Sequence, residues 1–290
     1  MQLTGPIVST EWLAQHLDDA TLRIFDVSIF LTPNDPDPGY TIVGGRSAWE
    51  ENHIPGSNFL DLLTDFSDQS APLPLTMLTP EVFAERAGQA GIGDDTAVVI
   101  YGADSMMFST RMWWMLRTIG FNNVAVLDGG WNKWQSEHRP TTSAVANYSP
   151  SSVAPTPLPH LWASKTDVVN AMQDTSVCTL NALAPEVYNG EVTRYGRPGH
   201  IPGSHNIFYN SLLDPDTGTF LPLDKLRERF EASGVLQKPR AIVYCGGGIS
   251  ATMDALALTM LEHPHISIYD GSMSEWTQDP DLPLVCGDNP

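Results

Sequence analysis

Apolar residues along this chain fall into two kinds of run. Residues 22–27, 97–101, 124–127, 177–180, 241–245 and 266–269 are short and mostly apolar, as expected of strands buried in a sheet. Residues 80–90, 110–119, 223–232 and 251–262 are longer, with apolar side chains at helical spacing, and predict helices. Gly91 and Gly234 stand where a left-handed glycine would close two of them. Strand, loop, helix and strand follow one another in each half, which implies parallel pairing. The expected fold class is α/β, with mainly parallel sheets and helices on both faces.

The order repeats because the sequence does. His53-Ile54-Pro55-Gly56-Ser57 returns as His200-Ile201-Pro202-Gly203-Ser204. Asp128-Gly129-Gly130 and Asp270-Gly271-Ser272 are each followed by a tryptophan six positions past the aspartate, Trp134 and Trp276. His53 to Tyr101 spans 48 positions and His200 to Cys245 spans 45, which pairs Tyr101 with Cys245. Residues 139–160 carry five prolines among serines, threonines and alanines, and predict an extended linker. The expected organisation is a first domain over 1–138, a linker over 139–160 and a second domain over 161–290.

Composition narrows the chemistry. A formal charge of −19 disfavours nucleic acid and anionic membranes as partners, and makes any pocket for an anion depend on a few local positive groups. No apolar run approaches the length of a membrane span, and residues 1–12 do not read as a leader, so a cytoplasmic protein is expected. Three cysteines, Cys178, Cys245 and Cys286, have neither metal-ligand spacing nor the density of a disulfide scaffold.

Cys245 stands apart from the other two. It ends an apolar strand and opens Cys245-Gly246-Gly247-Gly248-Ile249-Ser250, after which a helix begins. Glycines let successive N–H groups turn inward, and a helix start adds more unpaired N–H groups, so this loop is expected to cradle an anion and favour the thiolate. Ser250 has two possible tasks, a hydrogen bond to the Cys245 sulfur or the cap of the following helix. Cys178 lies inside an apolar run and is expected to be buried and inert. A phosphatase loop would need an arginine six residues after the cysteine, where Ala251 stands, and no Gly-Lys-Ser/Thr follows the glycines to make a nucleotide loop.

Taken with Arg111-Met-Trp-Trp114 and Asp128-Gly-Gly-Trp131, the tandem His-Ile-Pro-Gly-Ser units and the six-residue loop resemble the rhodanese superfamily, over nearly the whole chain. The resemblance is to its two-domain members, the thiosulfate and 3-mercaptopyruvate sulfurtransferases. It implies tandem rhodanese-like domains, the first catalytically inactive, and a Cys245 persulfide that passes its outer sulfur to cyanide, a thiol or a protein cysteine. No metal or other cofactor is implied. The active-site loop would be Gly246, Gly247, Gly248, Ile249 and Ser250.

Donor choice is where this sequence departs from the family. The uncharged loop is nearer the mercaptopyruvate pattern Cys-Gly-Ser-Gly-Val-Thr, yet Gly247 replaces the serine implicated there in handling a proton. Of two arginines implied to grip the donor carboxylate, Arg194 matches one, Val187 occupies the other position, and Arg197 is the nearby substitute. By the same analogy His53 is a substrate-side candidate, although its acidic partner falls near Gly44, and Met107 and Phe108 would form an apolar wall. His53 and His200 occupy equivalent places, which also fits a histidine fixing a turn in both halves. The expected activity is sulfur transfer from a small donor, 3-mercaptopyruvate ahead of thiosulfate; the alternatives are a thiosulfate enzyme, a persulfide carrier serving a protein partner, and an inert scaffold.

Overall fold

A computed structural model describes residues 1–34 and 39–290. In chain order the first half contains β1 (Ile7–Val8), α1 (Thr10–Gln15), β2 (Leu22–Asp26), β3 (Ile29–Asn34), β4 (Gly39–Gly44), α2 (Arg46–Glu51), β5 (Ser57–Phe59), α3 (Pro80–Gln89), β6 (Ala97–Tyr101), α4 (Met107–Thr118), β7 (Val124–Leu127) and α5 (Gly130–Ser136). The second half contains β8 (Trp162–Ala163), α6 (Lys165–Ala171), β9 (Val177–Asn181), α7 (Pro185–Tyr188), β10 (Ser204–Asn206), α8 (Leu223–Glu231), β11 (Arg240–Tyr244), α9 (Ala251–Met260), β12 (Ile266–Tyr269) and α10 (Ser272–Trp276).

Each half builds one five-stranded parallel sheet. The orders are β1-β7-β6-β2-β5 and, read from its other edge, β8-β12-β11-β9-β10, so the halves match strand for strand. Central strands β6 and β11 are buried almost throughout, which explains why their sequences show no polar alternation. Gly91 and Gly234 adopt φ of +92° and +72°, as the helix-closing assignment requires. A two-stranded sheet of β3 and β4 was not expected from the sequence; its proline-, aspartate- and glycine-rich segment carries turn signals that mask strand character.

The chain separates into two compact units, one formed by Met1–Thr32, Thr41–Leu158 and Pro215–Thr219, the other by Pro33–Tyr40, Pro159–Asp214 and Phe220–Pro290. This corrects the expected linker. Residues 139–158 are extended but bound to the first unit: Thr142 and His53 exchange backbone hydrogen bonds of 2.8 and 2.9 Å, Ser151 N–H donates to the Gly88 carbonyl at 2.8 Å and Leu158 N–H to the Thr118 carbonyl at 2.8 Å. Prolines remove donors, but the residues between them supply enough N–H groups to fasten the segment. The C-terminal tail repeats the device on the second unit, where Val285 and His200 exchange bonds of 2.9 and 3.0 Å.

The repeated histidines belong to this fastening. His53 is fully buried, stacked on Trp49, with its ring nitrogens 2.6 Å from the Trp49 carbonyl oxygen and 3.1 Å from that of Ala144. His200 is stacked on Tyr188 and sits 2.8 and 3.2 Å from the carbonyl oxygens of Tyr188 and Asn289. The tryptophans after the Asp-Gly turns do likewise, Trp134 donating to the Pro140 carbonyl at 2.8 Å and Trp276 to the Pro283 carbonyl at 3.0 Å. Among the described residues, no helix is long and apolar enough to cross a membrane.

Candidate active site

Cys245 follows β11 directly and is 2% exposed. Its loop is closed from the Asp270-Gly271-Ser272 turn. Ser272 has a left-handed φ of +48°, and its Oγ accepts from the Cys245 N–H at 3.0 Å and the Gly248 N–H at 3.1 Å while donating to the Tyr269 carbonyl at 2.7 Å. The first amides of α10 hold the loop from the same side, Met273 N–H on the Cys245 carbonyl at 3.1 Å and Ser274 N–H on the Gly246 carbonyl at 2.9 Å. Among the described residues, the N–H groups of Gly246, Gly247, Ile249 and Ser250 have no protein acceptor. Backbone N–H groups grouped after a cysteine and ahead of a helix start are of the kind that can bind an anion.

Two glycines of the loop are explained by what surrounds them. Gly248 has φ +73°, and a Cβ there would lie 2.9 Å from the Asp270 carbonyl oxygen and 3.1 Å from its Cα. At Gly246 a Cβ would coincide with the ring of Tyr195. Gly247 instead faces open space, its nearest such neighbour being Ser274 Oγ at 3.9 Å, so sterics do not demand glycine there.

Ser250 occupies the position before α9 but performs neither expected task. Its backbone is already helical, with φ −63° and ψ −24°, whereas a capping residue is typically extended so that its hydroxyl can turn back onto the helix amides; no side-chain cap bond forms. A hydrogen bond from its hydroxyl to Cys245 is likewise absent among the described residues. In the first turn of α9, Asp254 is fully buried without a partner for either oxygen, and burial pushes its carboxyl well above the usual range. A neutral acid at that place adds no negative charge beside the cradle.

The three substrate-side candidates separate. Arg194 lies over the ring of Tyr40, 4.8 Å from its centroid, and donates to the Tyr40 hydroxyl, while its buried Nε has no partner. Arg197 is turned to the C-terminal turn: Nη1 donates to the carbonyls of Asp279 at 2.9 Å and Leu282 at 3.0 Å, and Nη2 to Leu282 at 3.0 Å. Three bonds to main-chain carbonyls orient its fork on that turn, which corrects its assignment as a substitute carboxylate clamp. His53 is corrected too, because both ring nitrogens are engaged within the first unit. Val187, at the other clamp position, is a buried residue of α7. Met107 and Phe108 are buried in α4.

The pairing of Tyr101 with Cys245 is off by one residue. Tyr101 Oη meets Ile54 N–H and Ser57 Oγ at 3.3 and 2.9 Å, just as Tyr244 Oη meets Ile201 N–H and Ser204 Oγ at 3.1 and 2.7 Å. The two tyrosines are therefore equivalent, and Gly102 holds the place of Cys245, accepting from Trp131 N–H at 3.0 Å as Cys245 accepts from Met273. Of the other thiols, Cys178 is buried and pushed up to about 11 by that burial, whereas Cys286 is exposed.

Sequence reasoning missed Ser272 and Tyr195. The first had a signal: Asp128-Gly-Gly becomes Asp270-Gly-Ser only in the half with the cysteine. The second had none beyond its place beside Arg194.

Comparison with known proteins identifies the family. The rhodanese-like domain family matches residues 9–137 and 186–279. The chain is 31% identical over 280 residues to the 3-mercaptopyruvate sulfurtransferase of Escherichia coli K12, covering 96% of each chain. It is 31% identical to the thiosulfate sulfurtransferase of Cricetulus griseus, covering 93% of this chain and 91% of that one. The crystal structure of SseA from Escherichia coli, described as a 3-mercaptopyruvate sulfotransferase, superposes with a TM-score of 0.81 at 30% identity, over 93% of this chain and 99% of its own. The chain belongs to the rhodanese family and is a sulfurtransferase built from two rhodanese-like domains.

Proposed function

We propose that this enzyme carries sulfur as a persulfide on Cys245, taking it from 3-mercaptopyruvate in preference to thiosulfate and delivering it to a thiol, a protein cysteine or cyanide. The observation that carries the reading is the set of four amides without a protein acceptor beside a buried cysteine in an uncharged loop. Amides fixed in this way stabilise negative charge on sulfur without reorganising during the reaction.

In the first step the Cys245 thiolate attacks the donor sulfur, forming an S–S bond. With 3-mercaptopyruvate the C–S bond breaks and its electron pair leaves with the three-carbon fragment; with thiosulfate the S–S bond breaks and sulfite leaves. In the second step an acceptor thiolate or cyanide attacks the outer sulfur and returns the Cys245 thiolate. The preference for a monocarboxylate rests on charge: the loop has no basic residue, and Arg194 is one guanidinium suited to one carboxylate. Names of relatives support both donors, since one is a 3-mercaptopyruvate and one a thiosulfate sulfurtransferase.

Intact-mass measurement after incubation with each donor tests the assignment. The parent is expected to gain one sulfur atom and Cys245→Ser none. Uptake by the variant would move the chemistry to Cys178 or Cys286. Steady-state turnover with cyanide separates an enzyme for small donors from a carrier, which would load without turning over.

A further inference from the structure

Four tyrosines of the second unit invite comparison, and the hydroxyls of three are engaged. Tyr188 donates to the Ser204 carbonyl at 2.6 Å, Tyr244 pairs with Ser204 Oγ at 2.7 Å, and Tyr269 donates to the Glu275 carboxylate at 2.7 Å. Tyr195 differs. Its carbonyl accepts from the Thr277 hydroxyl, but its own hydroxyl has no hydrogen-bond partner among the described residues.

Its ring also packs against the Cys245 loop at Gly246. A Cβ built on Gly246, the residue after Cys245, would lie 2.6 Å from Tyr195 Cε1 and closer still to Cζ and Oη. The phenol therefore fills the space of a missing loop side chain. No hydroxyl comes from position 247, a glycine in open space. Burial first, and the negative charge of Cys245 second, hold the Tyr195 phenol well above its ordinary range, so it is an O–H group at neutral pH.

We propose that Tyr195 is a catalytic residue that relays a proton when the donor is a mercapto-carbonyl compound; the inference rests on Cys245 being the sulfur acceptor. As the thiolate attacks and the C–S bond breaks, the electron pair moves into the departing fragment as an enolate. Tyr195 gives its phenolic proton to the enolate carbon and takes the proton of the transferred thiol. The phenol ends neutral, Cys245 holds a persulfide anion, and the product is a 2-oxo acid with a new methyl group. No oxidant or reductant enters. Thiosulfate requires no such relay, because sulfite departs with its electron pair and carries no proton away.

The experiment is single-turnover sulfur loading of the full chain and its Tyr195→Phe variant, which keeps the ring over Gly246. Pyruvate release and intact mass are followed with 3-mercaptopyruvate, and sulfite release with thiosulfate, each in water and deuterium oxide. The relay predicts that Tyr195→Phe slows the 3-mercaptopyruvate branch about 100-fold and leaves the thiosulfate branch within about twofold. It also predicts that deuterium oxide slows only the parent's 3-mercaptopyruvate branch. Equal loss on both branches would make Tyr195 a support of the loop, and no loss on either would remove it from the chemistry; both overturn the relay. A parent that accepts sulfur from neither donor would instead sink the Cys245 reading itself.

Discussion

At the C-terminal end of β6 the chain turns through Gly102, Ala103, Asp104 and Ser105; at the same end of β11 it turns through Cys245 and three glycines. In the first turn the Ala103 N–H is consumed by Ser28 Oγ at 2.7 Å, and Asp104 brings a carboxylate in a left-handed conformation of φ +55°. The second loop carries no acidic side chain, and its Cys245 and Gly248 amides are taken by the Ser272 hydroxyl. The supporting turns diverge in step: Gly130 has φ +55° with the Gly102 carbonyl oxygen 2.6 Å from where its Cβ would stand, while Ser272 keeps a similar conformation and fills that place with a hydroxyl. Two halves with one sheet order thus differ in the side chains their turns carry: a thiol and three glycines without an acidic group in one, a carboxylate and no thiol in the other. The difference between them lies in a few side chains on one shared architecture.

Substitutions can break that contrast at several strengths. The largest effect is expected from Gly248→Ala, which meets both a left-handed φ and the Asp270 backbone. Donor-dependent sulfur loading should fall at least about 100-fold, because a displacement near 1 Å is enough for such a loss. Rapid-quench loading assays would show it, and near-parental rates would mean that the loop does not need its observed shape. Ser272→Ala comes next. It strips the acceptor from two buried N–H groups, each worth roughly 1–3 kcal/mol when left unpaired, and should lower both loading rate and urea midpoint. Ser272→Gly, which copies the first half, should lose less stability because glycine accepts the left-handed conformation without strain.

A smaller change runs in the opposite direction. Asp26 and Asn181 occupy equivalent strand ends, their side-chain oxygens accepting from Ser28 N–H at 2.7 Å and Leu183 N–H at 2.8 Å. Burial raises Asp26 to about 6, against hydrogen bonds from Ser28 and Tyr101 that pull it down. The folded state therefore binds the proton more tightly than the unfolded one, so stability is full at pH below the unfolded value of 3.8 and declines as pH rises through about 6. Asp26→Asn, which copies the second half, should raise stability by ~3 kcal/mol above that range, at roughly 1.4 kcal/mol per pKa unit. The gain should vanish near pH 4 in parallel denaturation curves. The smallest expected effect is none: Gly102→Cys in a Cys245→Ser background should acquire no sulfur by intact mass, since a thiol alone neither removes the Asp104 carboxylate nor supplies the hydroxyl that Ser272 gives the other loop.

Much of the fold was legible because its signals are local. Strands buried on both faces are continuous apolar runs, and the His-Ile-Pro-Gly-Ser repeat marks a turn whose histidine the structure finds anchored in both halves. The loop at Cys245 was legible for the same reason, glycines next to a strand having few other purposes. What escaped depends on distance along the chain or on rotation about one bond. Counting from His53 and His200 paired Tyr101 with Cys245, because the intervening segments differ in length; only the shared contacts of Tyr101 and Tyr244 reveal the true register. Proline content suggested a free tether at 139–160, whereas the N–H groups between the prolines find carbonyls far away in sequence. Tyr195 approaches Gly246 across about 50 residues, and nothing in its neighbourhood announces that contact.

The contrast between sheltered Cys245 and exposed Cys286 has a practical outcome at the bench. A bulky maleimide added to native protein will reach the tail before the Cys245 sulfur, so the first equivalent of label reports on the tail. Thiol titrations should be timed by the fall in turnover, or performed on a Cys178→Ser, Cys286→Ser background in which Cys245 is the one thiol left.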